Sequence, residues 1–249
     1  MGAFVIVLRE AFEACLVLGL IFAFLNKTGQ RAHHGQAVWQ GTGWAIALSI
    51  AMGTVLFITV GELSGTGEKV YEGTAMLLAA CVVTWMVFWM RKQAKTIGGA
   101  LRAQVGDAVA HGGGLALATV AFIAVAREGL ETALFLFVSV GNDGLLPTVL
   151  GGGLGLATAI VLGIGLYRGS LKLDLRRFFL YTGLLVIAFA AYLLVRGLHE
   201  FAEVGGGSVL EVGGPVFAVA FALGLGWLYV RGSRPSPAPA PPAGAPTKA

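Results

Sequence analysis

Two short runs of charge stand inside otherwise apolar sequence: Arg9-Glu10-Ala11-Phe12-Glu13 and Arg127-Glu128-Gly129-Leu130-Glu131. Each holds one guanidinium and two carboxylates in the spacing R-E-x-x-E. On a helix, residues three or four apart share a face. Glu10 and Glu13 are therefore neighbours, as are Glu128 and Glu131, while Arg9 and Arg127 each reach the glutamate four positions on. Each pentad can close one internal ion pair and leave its other carboxylate less compensated. Carboxylate oxygens with no Cys or His beside them suit hard cations such as Fe³⁺, Mg²⁺, Ca²⁺ or Mn²⁺ and serve thiolate-preferring metals poorly. Arg9 and Arg127 would offset the excess negative charge of an empty site. Two other uses of the same residues are a buried ion-pair network that fixes helix register and a paired-carboxylate hydrolase. The hydrolase would need a water-filled substrate pocket, which nothing else in the chain suggests.

The elements that must position these charges are membrane helices. The chain of 249 residues is 57% hydrophobic and 12% charged, with a mean hydropathy of +0.82; a soluble domain carries about 25% charge. Ionisable side chains in the hydrocarbon are costly and mark ion pathways or sites by default. The net charge of +4 does not suggest nucleic acid, because the basic residues are scattered between apolar stretches. Cys15 and Cys81 both fall inside apolar stretches and read as small buried residues; there is no CxxC motif and no evident redox centre. The first residues do not read as a signal peptide, since Arg9, Glu10 and Glu13 interrupt the apolar run. Gly2 is not followed by the Ser or Thr at position 6 that myristoylation requires; Ile6 stands there.

Seven apolar stretches are long enough to cross a bilayer, which takes about 20 helical residues. They cover roughly 2–25, 38–61, 70–90, 114–140, 147–167, 177–198 and 213–231. The segment 232–249 is rich in Pro and Ala and is expected to be a disordered cytoplasmic tail. Lys27, Arg31, Arg91, Lys92, Lys95, Arg102, Arg168, Lys172, Arg176, Arg177, Arg231, Arg234 and Lys248 fall on one side, with only Asp107 and Asp174 as acids. Glu62, Glu68, Glu72, Asp143, Glu200, Glu203 and Glu211 fall on the other, with Lys69 and Arg196 as bases. The excess of Lys and Arg places the first group in the cytoplasm, so the N-terminus lies outside and the C-terminus inside. The acidic outer face would concentrate cations. Glu72, followed by Gly73 at the start of the third stretch, is the candidate entry residue. His33-His34 read as solvated residues of the first cytoplasmic loop, and His199, with Glu200 and Glu203, as a solvated helix end. Trp85, Trp89 and Trp227 near stretch ends read as interface anchors.

The pentads lie in the first and fourth stretches, whose helices run in opposite directions. Gly41-Thr42-Gly43 matches Gly151-Gly152-Gly153, Gly53 matches Gly163, and Tyr71-Glu72-Gly73 matches Tyr181-Thr182-Gly183. The expected architecture is an all-α integral membrane protein of seven transmembrane helices, built as a 3+3 inverted repeat (about 1–92 and 113–198) plus a seventh helix (about 213–231). Helical rise puts Glu10 ~12 Å below the outer start of its stretch and Glu128 ~9–12 Å from the same edge of a ~30 Å core. Packed antiparallel, the two helices would bring Glu10, Glu13, Glu128 and Glu131 to one level as a metal site.

With these residues in view, the chain resembles the high-affinity, oxidase-linked iron permease family, which carries an R-E-G-L-E motif in two of its seven helices. Arg127-Glu128-Gly129-Leu130-Glu131 matches the motif fully; Arg9-Glu10-Ala11-Phe12-Glu13 keeps its charged frame with Ala and Phe in place of Gly and Leu, a departure that touches packing more than ligands. The resemblance extends to Glu72-Gly73 and to Trp85-Met86 and Trp89-Met90, and covers residues 1–231 but not the tail. It implies a permease, not an enzyme, that imports Fe³⁺ across the cytoplasmic membrane after a separate extracytoplasmic oxidase or iron-binding partner has oxidised Fe²⁺. Iron is then cargo, with no permanently bound cofactor, and the other partner is the lipid bilayer. The competing expectations are transport of another hard cation, a proton-coupled exchanger, or a non-transporting membrane subunit of a redox complex.

Overall fold

Apolar sequence with few breakers forms helix in a medium without water, because helix alone satisfies every backbone N–H and C=O within one segment. The computed structural model of the protein describes residues 2–60, 66–93, 103–109, 113–169, 174–205 and 208–232, and among these there is no strand. Among the described residues there are seven long helices: α1 (Gly2–Lys27), α2 (Arg31–Val60), α3 (Thr66–Gln93), α4 (Gly113–Asp143), α5 (Leu145–Tyr167), α6 (Leu175–Gly205) and α7 (Ser208–Gly232). Each of the seven apolar stretches falls on one of them. Four segments, Arg31–Ile58, Leu145–Tyr167, Leu175–Glu203 and Gly213–Gly232, are long and apolar enough to cross a membrane by length and composition, and Gly73–Trp89 is a shorter apolar helix. In α1 the pentad and Lys27 interrupt the apolar run.

The helices overrun their apolar stretches, because polar flanks can continue a helix into the interfacial layer. This corrects the placement of His33 and His34: they lie in the first turns of α2 rather than in a loop. The connection from α1 is only a tight turn through Gly29, whose φ of 71° favours glycine. Gly144, at φ 83°, makes the equally tight reversal between α4 and α5. A further helical segment over 103–109 lies within the stretch expected to be loop, and its Val105 and Ala108 pack with Ile21, Leu25, Leu117 and Ala121 of α1 and α4. α7 begins before its apolar stretch and carries Pro215 inside it. The tail beyond Gly232 lies outside the described residues.

Close packing sets the arrangement. Hydrocarbon offers no hydrophobic drive for helices to associate, so small residues that allow close approach do the work. α1 runs parallel to α5: a Cβ built on Gly155 would lie 2.6 Å from the Phe4 carbonyl oxygen, and one on Gly163 2.7 Å from Cys15 Cβ. α2 runs parallel to α4: Gly41 sits against the Ala118 carbonyl, and a Cβ on Gly53 would lie 3.6 Å from Ala133 Cβ. α3 and α6 pack antiparallel, with Gly73 against Gly197 and Met76 and Ala80 beside Leu193. α7 lies on α6, where Tyr229 Oη donates to the Phe179 carbonyl at 2.9 Å. Down the middle, α1 and α4 cross antiparallel, from Ile6 near Phe135 at one end to Ile21 and Leu25 near Leu117 at the other.

The outward faces are apolar, with Trp44, Ile58, Leu154, Val161 and Leu223 exposed. Helical hydroxyls are hidden by donating to the preceding turn, as Thr42 does to the Val38 carbonyl, Ser49 to Ala45 and Thr182 to Phe178. Cys15 and Cys81 are free thiols.

Candidate metal centre

The antiparallel crossing of α1 and α4 puts the two pentads face to face. One carboxylate oxygen from each of Glu10, Glu128 and Glu131 lies within 4.8 Å of the others. Glu10 is 0% and Glu128 7% exposed, and Glu131 is half-buried. Glu13 is outside this group. Its Oε1 instead faces Arg9 Nη2 at 3.4 Å. The crossing therefore gathers three of the four glutamates singled out from the sequence.

The arginines divide differently in the two pentads. In α4, Arg127 Nε donates to Glu131 Oε1 at 3.1 Å and is 3.8 Å from Glu128 Oε1, which matches the spacing argument. In α1 the shorter contact goes to the adjacent residue, from Arg9 Nη1 to Glu10 Oε1 at 2.9 Å. Glu10 has no access to solvent, so the long guanidinium arm serves the acid that most needs a donor. Even so, Oε2 of Glu10, of Glu128 and of Glu131 is buried with no hydrogen-bond partner among the described residues. Buried carboxylate oxygens without donors are costly, and a hard cation satisfies several at once. Four carboxylates against two guanidiniums also leave a formal deficit of positive charge.

Local sequence explains how α4 comes so close. Gly129 faces Ser49 of α2, and a Cβ there would run into the Ser49 hydroxyl, so the central glycine of this pentad is needed for the α2–α4 contact. Thr132 Oγ1 donates to the Glu128 carbonyl at 2.8 Å. In α1 the corresponding positions pack otherwise: Phe12 is fully buried, with its ring 4.6 Å from that of Phe178 on α6.

One neighbour of the site was not legible in the sequence. Trp89, expected to anchor at the bilayer surface, instead lies half-buried under Arg127, whose guanidinium carbon is 3.9 Å from the centre of the indole. Its position one turn from Trp85, with which it stacks at 6.0 Å, is the only sequence signal it gives. Trp85 and Trp227 do point outward, 66% and 59% exposed. Glu72 lies on α3, but its side chain is outside the described residues, so its expected place at the entry has no geometry to set beside it. His199 is exposed and pairs with Glu203 at 3.2 Å, and Glu203 also bonds Lys69 of α3, far from the carboxylate group along α6. The rings of His33 and His34 lie 6.5 Å apart, tilted 56° to each other.

Comparison with known proteins finds relatives over most of the chain. The ferrous iron permease EfeU of Escherichia coli O6:H1 is 40% identical over 205 residues, covering 81% of this chain and 74% of the relative. The ferrous iron permease EfeU of Yersinia pestis is 38% identical over 204 residues, covering 81% and 72%. No solved structure matches the chain. The family model described as the iron permease FTR1 family matches residues 1–213, and the chain therefore belongs to that family of membrane permeases.

Proposed function

We propose that the protein imports iron across the cytoplasmic membrane as Fe³⁺, through a site whose ligands are Glu10, Glu128 and Glu131, with Glu13 at its edge and Arg9 and Arg127 tuning its charge. Membership of an iron permease family makes it a multi-pass iron transporter rather than an enzyme. The observation that carries the site is the convergence of three carboxylates from two antiparallel helices within 4.8 Å, each with a buried oxygen lacking a donor. Iron is cargo on this reading, and no cofactor is permanently held. The oxidation of Fe²⁺ falls to a separate extracytoplasmic partner, because the sequence supplies no redox motif. Glu72 guards the entry, the N-terminus lies outside, and the segment from 232 onward is a cytoplasmic tail; the asymmetry of loop charge supports the orientation.

The permease domain spans residues 1–231 and is built from two inverted halves, α1–α3 and α4–α6, plus α7. Two contacts support this. Gly53 of α2 meets Ala133 of α4, and Gly163 of α5 meets Cys15 of α1. Exchanging α1 with α4 and α2 with α5 turns one contact into the other, in the same register as the two pentads and the two glycines.

A second reading has Fe²⁺ itself as cargo. The relatives are named ferrous iron permeases, and the formal charge of the four glutamates and two arginines would be balanced by a divalent ion. Purified protein in proteoliposomes separates the two. Uptake of iron held reduced by ascorbate, with no oxidising partner present, supports the ferrous reading; uptake only when oxidation is coupled supports the ferric one. The site itself is tested by Glu10→Gln and Glu128→Gln. Both should abolish iron uptake while the protein still reaches the membrane, and normal uptake in either would overturn the assignment.

A further inference from the structure

The two pentads are alike in sequence and unlike in how their arginines are held. Arg9 is 3% exposed and lies between two carboxylates, 2.9 Å from Glu10 and 3.4 Å from Glu13. Arg127 is 28% exposed and commits Nε to Glu131. Its Nη2 is buried without a hydrogen-bond partner among the described residues, and its flat face lies on the indole of Trp89. Trp89 comes from α3, which packs along α6 and stands to one side of the α1–α4 crossing. A ring face attracts a guanidinium most strongly where water is excluded, and it does so without using any of the N–H donors.

We propose that Trp89 is a positioning residue for iron binding, one that retains the Arg127 guanidinium when the cation displaces it from Glu131. The proposal rests on Glu10, Glu128 and Glu131 being the iron site. A cation bound at Glu131, even through its free Oε2, puts like charge beside the guanidinium held at Oε1 and drives it off that carboxylate. The released guanidinium would then be a partly buried charge with no counter-ion, which is strongly unfavourable. The indole, already in contact, gives it a place to remain. Without the ring, Arg127 holds to Glu131 and competes with the ion. Arg9 lies between Glu10 and Glu13 and keeps one carboxylate when the cation takes the other, so the exchange centres on Arg127, with Glu131 the ligand given up and regained.

The test uses the full chain in proteoliposomes, with iron uptake measured against iron concentration for Trp89→Leu and Trp89→Phe. Trp89→Leu should raise the half-saturating iron concentration roughly tenfold, the scale of a desolvated cation–π contact. Its maximal rate at saturating iron should fall much less. Trp89→Phe, which keeps a π face in a smaller ring, should recover most of the affinity. An unchanged half-saturation in Trp89→Leu overturns the proposal, and so does equal impairment of the Leu and Phe variants, which would indicate packing alone. If Trp89→Leu does not reach the membrane, Trp89→Met supplies the same contrast. Glu128→Gln, run alongside, separates the two levels. Binding lost there but normal in Trp89→Leu removes only the role of Trp89; binding retained in Glu128→Gln removes the site beneath it.

Discussion

Glu10 of α1 and Glu128 of α4 hold carboxylate oxygens within 4.8 Å of each other across an antiparallel helix crossing, and Glu131 completes the group. Like charges this close, in surroundings with little water, repel strongly unless a cation or a proton lies between them. Arg9 and Arg127 offset part of that repulsion, and on the proposed reading a bound cation would offset the rest.

The four glutamates should not be equivalent. Glu10→Gln, Glu128→Gln and Glu131→Gln are expected to lower iron uptake by at least about tenfold, the scale on which metal sites respond to losing a supporting group. Glu13→Gln should cost less, because Glu13 faces Arg9 and lies outside the three-carboxylate group. Uptake of radioactive iron, normalised to protein in the membrane, ranks them. A loss for Glu13→Gln as deep as the others would return Glu13 to the ligands.

Glycine positions sort by what faces them. Gly163→Ala places a Cβ 2.7 Å from Cys15 Cβ, an overpacking that neither side chain can relieve by rotating. It should destabilise the protein by about 1–3 kcal/mol. Adding Cys15→Gly restores the space and should recover most of that loss. Gly153→Ala meets nothing within 4 Å and should be neutral. Thermal unfolding in detergent, followed by size exclusion, distinguishes the three.

The parallel register of α2 on α4 can be locked covalently. A Cβ on Gly53 lies 3.6 Å from Ala133 Cβ, inside the separation of about 3.5–4.5 Å that a disulfide requires. Gly53→Cys with Ala133→Cys, in a chain carrying Cys15→Ala and Cys81→Ala, should cross-link on mild oxidation. Thr54→Cys with Ala133→Cys should not, because Thr54 points outward. Proteolysis between the helices followed by gel electrophoresis reads the result; cross-linking of the control pair alone would show a different rotation of α2.

Tyr229 ties α7 to α6 through its hydroxyl on the Phe179 carbonyl. Tyr229→Phe should lower stability by about 1 kcal/mol, the net worth of one hydrogen bond. Gly183→Ala, whose Cβ would meet the same phenol oxygen, should cost more. Unchanged unfolding temperatures in both would show that α7 is held by other contacts.

Much of this arrangement was readable in the residues, and the exceptions have a common cause. Long apolar runs locate the helices, and charge inside those runs locates the pentads, because both are local properties of the chain. Alternation of loop charge gives relative direction, and α1 and α4 do run antiparallel. Rotation of each helix about its own axis is not local. It decides that Glu13 turns toward Arg9 while Glu10 turns toward Glu128, and that the Trp89 indole lies on a guanidinium instead of in the interface. Composition also hides where a polar flank stays helical, which is why His33 and His34 begin α2 instead of filling a loop. Nor does it show which glycines carry close contacts: Gly153 faces open space, whereas Gly163, on the same helix, is pressed against Cys15.

The site lies on a seam. α1 is fastened to α5, and α4 to α2, by glycine contacts that leave little room for sliding, whereas α1 meets α4 through side chains, apolar at both ends and acidic in the middle. On the proposed reading an ion held there would be at once freight and clasp, drawing acids of both helices to itself across the seam. A probe of the α1–α4 gap would then double as a gauge of occupancy.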